Sequence, residues 1–231
     1  MKRKAGSINY TLIQAPRSTI RLSVSESGDV RVYAPKIMRL RDIDAFVLAH
    51  RAEVDAMERK VRARREAFEA GNPLQDGTVL LVLGNPVTLR VAQGSRRTAK
   101  YTGNELIITA PDTDRDTLRA LIRKALSEEA LRQIRRLIAI YAPALGVNPG
   151  RIAIREQKSR WGSCSDRDNL NFNWKLMLAP PEALEYVVIH ELCHLTEFNH
   201  SDRFWRLVES QMPHYEQPKK WLKTNSALLN L

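Results

Sequence analysis

Apolar and polar residues alternate along several short stretches of the first part of the chain. Residues 8–24 alternate weakly, residues 25–29 have the composition of a hairpin turn, and residues 30–33 alternate again before an Ala-Pro pair. Alternation with a period of two predicts β-strands. A rough apolar stripe at helical spacing then predicts a helix over residues 40–70.

The same order of elements is predicted a second time. Strands are expected at residues 79–83, 87–91 and 105–109, and a second Ala-Pro pair ends the last of them. A helix is predicted over residues 114–141. We interpret the recurrence as a degenerate internal duplication of a ββα unit. The alternative of two unrelated ββα units stays open, because such units are common.

The last third of the chain predicts short strands followed by helices. Strand patterns cover residues 151–155 and 169–174. Pro180 and Pro181 indicate a helix start, where proline is tolerated because the first backbone N–H groups lack helical partners. Two further helices are expected after Ser201 and near Pro218. The predicted fold class is therefore α+β.

The predicted helix after Pro181 carries a His-Glu-x-x-His motif. His190 and His194 are four residues apart, so they lie on one helix face and can direct two imidazole nitrogens at one point. Neutral imidazole suits Zn²⁺, and this zinc motif places a general base beside the first histidine, here Glu191. The surrounding residues are mostly apolar, and buried polar groups need partners. The motif therefore predicts a zinc site with Glu191 beside the metal.

Two residues compete for the third ligand position. His200 is the nearest further histidine, and Glu197 would lie on the same face if the helix continued past His194. We favour His200, because imidazole recurs in catalytic zinc sites. The helix must then end or turn within residues 195–199, and Asn199 is a candidate for a left-handed turn residue. Ser201 or Asp202 can cap the next helix.

Composition indicates the class of protein and the cellular compartment to expect. The chain has 231 residues, of which 43% are hydrophobic and 27% charged, which is typical of globular proteins. The two cysteines do not suggest a disulfide framework, so a cytoplasmic location is expected. The basic N-terminal tetrapeptide resembles the start of a signal peptide, but no apolar segment follows it. No membrane span is expected.

The net charge of +11 is distributed unevenly along the chain. Residues 1–150 hold 26 Lys and Arg against 16 Asp and Glu, whereas residues 151–231 hold 11 against 10. A basic part of this size favours anionic partners such as nucleic acid or nucleotides, and a solubility charge without a specific partner is the alternative.

Several segments of the last third together resemble a known family. They are residues 160–164 (RWGSC), 170–171, 178–180, 186–195 (YVVIHELCHL) and 199–205, in which Phe204-Trp205 follows the third histidine. This combination is similar to the YgjP-like metallopeptidase-type zincins, which are related to the SprT-like and WLM (Wss-like) groups. Metzincins share the spacing of the third histidine, but they have glycine where this chain has Glu197.

Charge and pattern predict a basic α+β part over residues 1–145, followed by a second part over residues 146–231. The resemblance, which is strong over about residues 150–225, implies that this second part is a zincin-like catalytic part, with Zn²⁺ on His190, His194 and His200 and Glu191 as the base. Arg160 and Ser163 are candidates for substrate binding. Cys193 is expected in the core, and Cys164 is undecided between ligand and packing roles.

The function expected from these observations is a zinc-dependent hydrolase, most simply a metallopeptidase acting on peptides or proteins. A zinc-activated water would attack the scissile carbonyl while Glu191 moves the proton. One alternative keeps the metal and hydrolyses nucleotides or phosphoanhydrides, although no phosphate-binding Gly-rich loop is found. The other is a nucleic-acid-associated binding module, which would show steep salt dependence.

Overall fold

The computed structural model describes residues 1–25, 28–71, 73–157, 160–229 and 231, without the side chains of residues 64, 65, 67–71, 227 and 228. The chain forms two compact units, Met1–Pro73 and Leu74–Leu231. Both mix helices with small sheets, which confirms the α+β prediction. No helix within the described ranges is long and apolar enough to cross a membrane.

The first unit contains a four-stranded sheet followed by two helices. Its elements are β1 (Lys2–Ala5), β2 (Ile8–Ala15), β3 (Arg21–Val24), β4 (Val30–Pro35), α1 (Leu40–Ala49) and α2 (Arg51–Gly71). The predicted single helix over residues 40–70 is thus two helices. The break lies at His50, which leaves helical geometry with a φ of −100° and a ψ of 23°. The predicted hairpin turn joins β3 to β4, and its residues 26 and 27 lie outside the described residues.

The second unit begins with a sheet of the same design. Its elements are β5 (Val79–Val82), β6 (Asn85–Gln93), β7 (Thr98–Tyr101), β8 (Glu105–Ala110) and the long helix α3 (Arg115–Leu145). Asp114 caps α3 by accepting a hydrogen bond from the Thr117 backbone N–H, and Gly146 ends it in the left-handed conformation.

The two four-stranded sheets share strand order and pairing. In spatial order they are β1-β2-β4-β3 and β5-β6-β8-β7, and in each the central pair is parallel while the outer pairs are antiparallel. One side-chain contact also recurs: Gln14 donates to the carbonyl of Pro35, and Gln93 donates to the carbonyl of Pro111, both over 3.5 Å. Each of these two sheets has four strands, where the sequence pattern indicated fewer.

The rest of the second unit carries the histidine motif. It contains β9 (Ile152–Arg155), β10 (Gly162–Cys164), β11 (Leu170–Asn173), a short 3-10 helix (Trp174–Leu178), α4 (Pro181–Cys193), α5 (Asp202–Gln211) and α6 (Glu216–Asn225). The three strands form one sheet in the order β10-β11-β9, with β10 at an edge. Helix α4 packs against α3, α5, α6 and β10, so most of its residues from Ala183 to Cys193 are buried.

The core of the second unit joins elements on both sides of residue 145. Apolar residues of β8 and α3, such as Ile108 and Ile134, belong to the same buried cluster as Phe172 and Ile189. The hydroxyl of Tyr141 on α3 also donates a hydrogen bond to the carboxylate of Glu185 on α4. The functional division after residue 145 stays a prediction, and the histidine motif lies within the unit Leu74–Leu231.

Candidate metal centre

Helix α4 presents the two motif histidines at its C-terminal end. The helix ends at Cys193 with His194 as its C-cap, and the His194 backbone N–H bonds to the carbonyl of His190. His190 and His194 are partly buried. The four-residue spacing therefore places both rings on one face, as the sequence predicted.

The ring nitrogens of three histidines converge. His190 Nε2 lies 3.2 Å from His194 Nε2 and 3.1 Å from His200 Nε2, and the ligand atoms of all three lie within 4.8 Å of one another. His194 Nδ1 lies 3.0 Å from the carbonyl oxygen of Glu197. A carbonyl only accepts, so this nitrogen carries the proton and the Nε2 atom of a neutral His194 ring keeps a free lone pair.

The arrangement of these nitrogens fits a metal ion. His194 Nε2 carries no proton, and His190 Nε2 and His200 Nε2 cannot both carry one because they lie 3.1 Å apart. The three nitrogens therefore have more lone pairs than N–H donors. A tetrahedral zinc at about 2.0–2.1 Å from each nitrogen places two ligand nitrogens roughly 3.3 Å apart, close to the two shortest separations. Burial, together with the charges of His194 and His200, lowers the pKa of His190 to about 3, so its ring is neutral near pH 7.

A short turn brings His200 back to the other two histidines. Residues 194–200 form turns rather than further α-helix, as the His200 hypothesis required. Asn199 is not left-handed, and that expectation was wrong. Its side-chain oxygen instead accepts from the Ser201 backbone N–H over 3.2 Å, which shapes the turn without a positive φ. Ser201 then caps α5 by accepting from the Phe204 N–H, as predicted.

Aromatic side chains of α5 surround the histidines. The buried ring of Phe204 has its centroid 4.9, 4.6 and 4.8 Å from the centroids of His190, His194 and His200. Trp205 stacks on His200 at 5.6 Å and on Tyr215 at 5.4 Å. This packing limits the orientations open to the His200 ring.

Glu197, the rival ligand, is engaged elsewhere. Its Oε1 lies 2.9 Å from Arg203 Nε, and its backbone carbonyl holds the ring of His194. Within the described ranges, the cluster of metal-capable side chains contains His190, His194 and His200 but not Glu197. The geometry thus supports His200 as third ligand, and we retain that assignment as a proposal.

Glu191 lies beside the histidines in a nearly closed environment. Its side chain is buried, and its Oε2 has no hydrogen-bond partner in the described structure. Burial raises its pKa to about 8, while the charge of Arg160 and a backbone hydrogen bond from Cys164 act in the opposite direction. A bound cation nearby would favour the ionised carboxylate.

Gly162 on β10 makes room for this carboxylate. A Cβ atom at position 162 would lie 2.5 Å from Glu191 Oε1 and 2.6 Å from Glu191 Cγ. Only glycine allows the edge strand to approach the glutamate this closely. The sequence did not single out Gly162, because no strand was predicted there and only a glycine inside a recognised strand indicates close approach.

A cleft of about 330 Å³ opens beside Glu191 and His190, and we call it the basic cleft. Arg160, Lys219 and Lys223 line it together with those two residues. Ser163, the other predicted substrate residue, accepts hydrogen bonds from Gln157 and Asn171 through its hydroxyl. The substrate roles of Arg160 and Ser163 stay predictions.

Neither cysteine belongs to the histidine cluster. Both are free thiols, Cys193 buried and Cys164 partly buried. Burial raises the pKa of Cys193 to about 12 and that of Cys164 to about 11, so both are protonated at neutral pH. A protonated thiol is a poor metal ligand. This agrees with the core role expected for Cys193 and favours packing for Cys164.

The identity of the third ligand can be decided by paired substitutions. His200→Ala is expected to weaken zinc binding by more than about a hundredfold, because even the partners of metal ligands contribute about 10- to 100-fold. Glu197→Gln should change zinc affinity only slightly, since the substitution keeps the backbone carbonyl that holds His194. Competition with a chromogenic chelator measures both affinities. Strong loss in Glu197→Gln with normal affinity in His200→Ala would reverse the assignment.

Comparison with known proteins identifies a family that matches most of this chain. A family model described as "YgjP-like, metallopeptidase domain" matches residues 18–225. The search of curated proteins found no match.

Two solved structures of archaeal proteins are similar to part of the chain. One is the metallopeptidase zymogen abylysin of Pyrococcus abyssi, with 25% identity over 39% of this chain and 92% of that chain and a TM-score of 0.37. The other is the zymogen jannalysin of Methanocaldococcus jannaschii, with 24% identity over 41% of this chain and 96% of that chain and a TM-score of 0.36.

Proposed function

The chain belongs to the YgjP-like metallopeptidase family, a family of metal-dependent peptidases, and from that premise we propose that it is a zinc-dependent peptidase with Glu191 as its general base. The observation that carries the proposal is the convergence of three histidine Nε2 atoms beside a buried carboxylate whose second oxygen has no partner. His190, His194 and His200 would hold the zinc.

The zinc proposal rests on the chemistry of the donor set. Three imidazoles with one open position are a known ligand set for catalytic zinc, whereas Mg²⁺ and Ca²⁺ prefer oxygen ligands. Bound zinc supplies Lewis acidity, which polarises a peptide carbonyl and acidifies a water molecule.

The residues of the chain itself would supply orientation and proton transfer. Glu191 Oε2 forms no hydrogen bond that would first have to break, so it would accept a proton from the attacking water and return it to the leaving amine. The close packing of Gly162 against Oε1 fixes the carboxylate's orientation. Strand β10 lies at the edge of its sheet, and it would hold an extended peptide next to Glu191 by adding it to the sheet.

The proposal is tested by peptide hydrolysis with a glycine pair as probes. Zinc-loaded protein should cleave members of a mixed peptide library and lose that activity when chelated. Gly162→Ala should lower the rate on the order of 10²-fold, because small misplacements of catalytic groups cost about that much. The added Cβ would displace Glu191 or the edge strand.

Gly94→Ala is the matched control for this test. Its new Cβ would lie 2.5 Å from Thr109 Cγ2, an equally close approach that does not involve Glu191. Both variants should lose stability by about 1–3 kcal/mol in denaturant unfolding, but only Gly162→Ala should lose activity. Hydrolysis of nucleotides without any peptide cleavage would reject the peptidase proposal in favour of the phosphoanhydride alternative.

Three further properties expected from the sequence remain proposals. The shared strand order of the two sheets supports an internal duplication within residues 1–145, with four strands in each repeat. The basic part over residues 1–145 stays a candidate partner for nucleic acid or nucleotides. Two free cysteines are consistent with a reducing, cytoplasmic location.

A further inference from the structure

The basic cleft beside the catalytic glutamate has a distinct chemical character. Val187 and Leu222 give it an apolar lining, and the aromatic ring of Tyr186 adds to that surface. The cations of Arg160, Lys219 and Lys223 also line it, against the single carboxylate of Glu191. A ligand that suits the cleft therefore has an apolar stem and an anionic end.

Two of these cations form no ion pair with an acidic side chain in the described part of the chain, although Arg160 is close enough to act on the charge of Glu191. Lys219 pairs with Glu216 over 2.7 Å and lies 3.9 Å from the ring centroid of Trp205, so its charge is partly used. Among the described contacts, the side chains of Arg160 and Lys223 form no ion pair, and both residues are exposed. Arg160 and Lys223 thus leave their positive charges available to a ligand.

The backbone that carries Arg160 is held firmly. The buried side chain of Asn173 donates to the carbonyl of Arg160 over 3.2 Å and to that of Gln157 over 2.8 Å. The Asn173 backbone N–H also donates to the carbonyl of Trp161 over 2.8 Å. Lys223 lies on α6, which packs directly on α4. The backbone segments that carry Arg160 and Lys223 are therefore both held in place.

Resting on the function proposed above, we propose that the basic cleft is a substrate subsite that selects a peptide carboxylate next to the scissile bond. The carboxylate is either an acidic side chain or the free C-terminus of the peptide. Arg160 and Lys223 bind it, while Val187 and Leu222 contact its aliphatic stem. Because the cleft also contains Glu191 and His190, a residue bound there lies beside the reacting bond.

Peptide binding without turnover tests this subsite. The protein is the full zinc-loaded chain with Glu191→Gln, which prevents cleavage, and the readout is fluorescence anisotropy of dye-labelled peptides. One neutral peptide sequence carries Glu, Gln or Lys at a scanned position, and a second pair differs only in a free or an amidated C-terminus. The Glu and free-acid peptides distinguish the two sources of the carboxylate.

The expected result is tighter binding of one carboxylate peptide than of its uncharged partner. Arg160→Gln and Lys223→Gln should each reduce that preference by about 2- to 5-fold, the range of partly exposed ion pairs. Added salt should reduce it further. Lys220→Gln and Arg167→Gln remove the same charge from exposed residues that do not line the cleft, and they should leave the preference unchanged.

Several outcomes would overturn the subsite. They are equal affinity for charged and uncharged peptides, absence of binding by all of them, or equal losses in the cleft and control variants. A labelled single-stranded oligonucleotide that binds more tightly and responds to the cleft variants would assign the cleft to nucleic acid instead. A carboxylate preference in binding, combined with no hydrolysis by the wild-type chain, would keep the subsite and reject the peptidase proposal.

Discussion

Replacement of His190 or His194 by alanine is expected to remove nearly all zinc from the purified protein, whereas the wild-type chain should carry about one zinc ion per chain. His190 Nε2 is the nitrogen that both other histidines approach, at 3.1 and 3.2 Å. Without the His190 ring, the Nε2 atoms of His194 and His200 lose the ligand atom that lies next to both of them. Loss of His194 removes the ring whose orientation the Glu197 carbonyl fixes. Elemental analysis after dialysis measures the metal content.

The control for these variants is His214→Ala. His214 is exposed and lies outside the histidine cluster, so its replacement should leave the zinc content at the wild-type value. Thermal unfolding gives a second readout, because a ligand that binds only the folded state raises its stability. Zinc should therefore raise the melting temperature of the wild-type and His214→Ala proteins but not of His190→Ala. Full zinc retention in both His190→Ala and His194→Ala would remove the basis of the metal site.

The histidine cluster could be predicted because its geometry is largely local. The relation between His190 and His194 follows from helix periodicity alone. His200 follows after one short turn, and the capping residue Ser201 is also recognisable from sequence. The turn itself was predicted with the wrong mechanism. Asn199 shapes it through a side-chain hydrogen bond, which competes with the left-handed backbone that asparagine also tolerates.

Contacts between distant segments could not be predicted in the same way. The sequence pattern predicted no strand over residues 162–164, and it could not show that Glu191 occupies the space where a Cβ at position 162 would stand. Similarly, Lys219 and Lys223 look like solvated residues of an amphipathic helix, because nothing in their spacing shows that α6 packs on α4. The basic cleft therefore emerged only from tertiary structure.

Strand composition explains the elements that the pattern missed. β1 contains three basic residues among four, which resembles a charged leader rather than a strand, yet it pairs with β2 in antiparallel register. Edge strands depend on backbone hydrogen bonds, and charged residues there limit pairing with other chains. The helix break at His50 was missed because apolar spacing continues across it. Pattern reasoning therefore identifies the fold class more reliably than it counts elements.

The Glu191→Gln variant is expected to keep its zinc and its fold while losing peptide hydrolysis by about 10³-fold, within the range that general acid–base catalysis contributes. The reason is chemical rather than steric. Glutamine has nearly the same shape, so the close packing against Gly162 is retained, but its amide cannot accept the proton of the attacking water. Zinc content, melting temperature and the rate constant on a cleaved peptide are the three measurements.

The contrast with Gly162→Ala separates chemistry from position. Gly162→Ala keeps the carboxylate but displaces it, so its residual activity should still rise with pH as the displaced carboxyl ionises. Glu191→Gln has no such group, and its residual activity should lack that dependence. A Glu191→Gln protein whose activity stays within a few-fold of the wild type would show that another group moves the proton. The buried carboxylate would then be a structural neighbour of the metal site, and the general base would have to be sought among the other residues of the basic cleft.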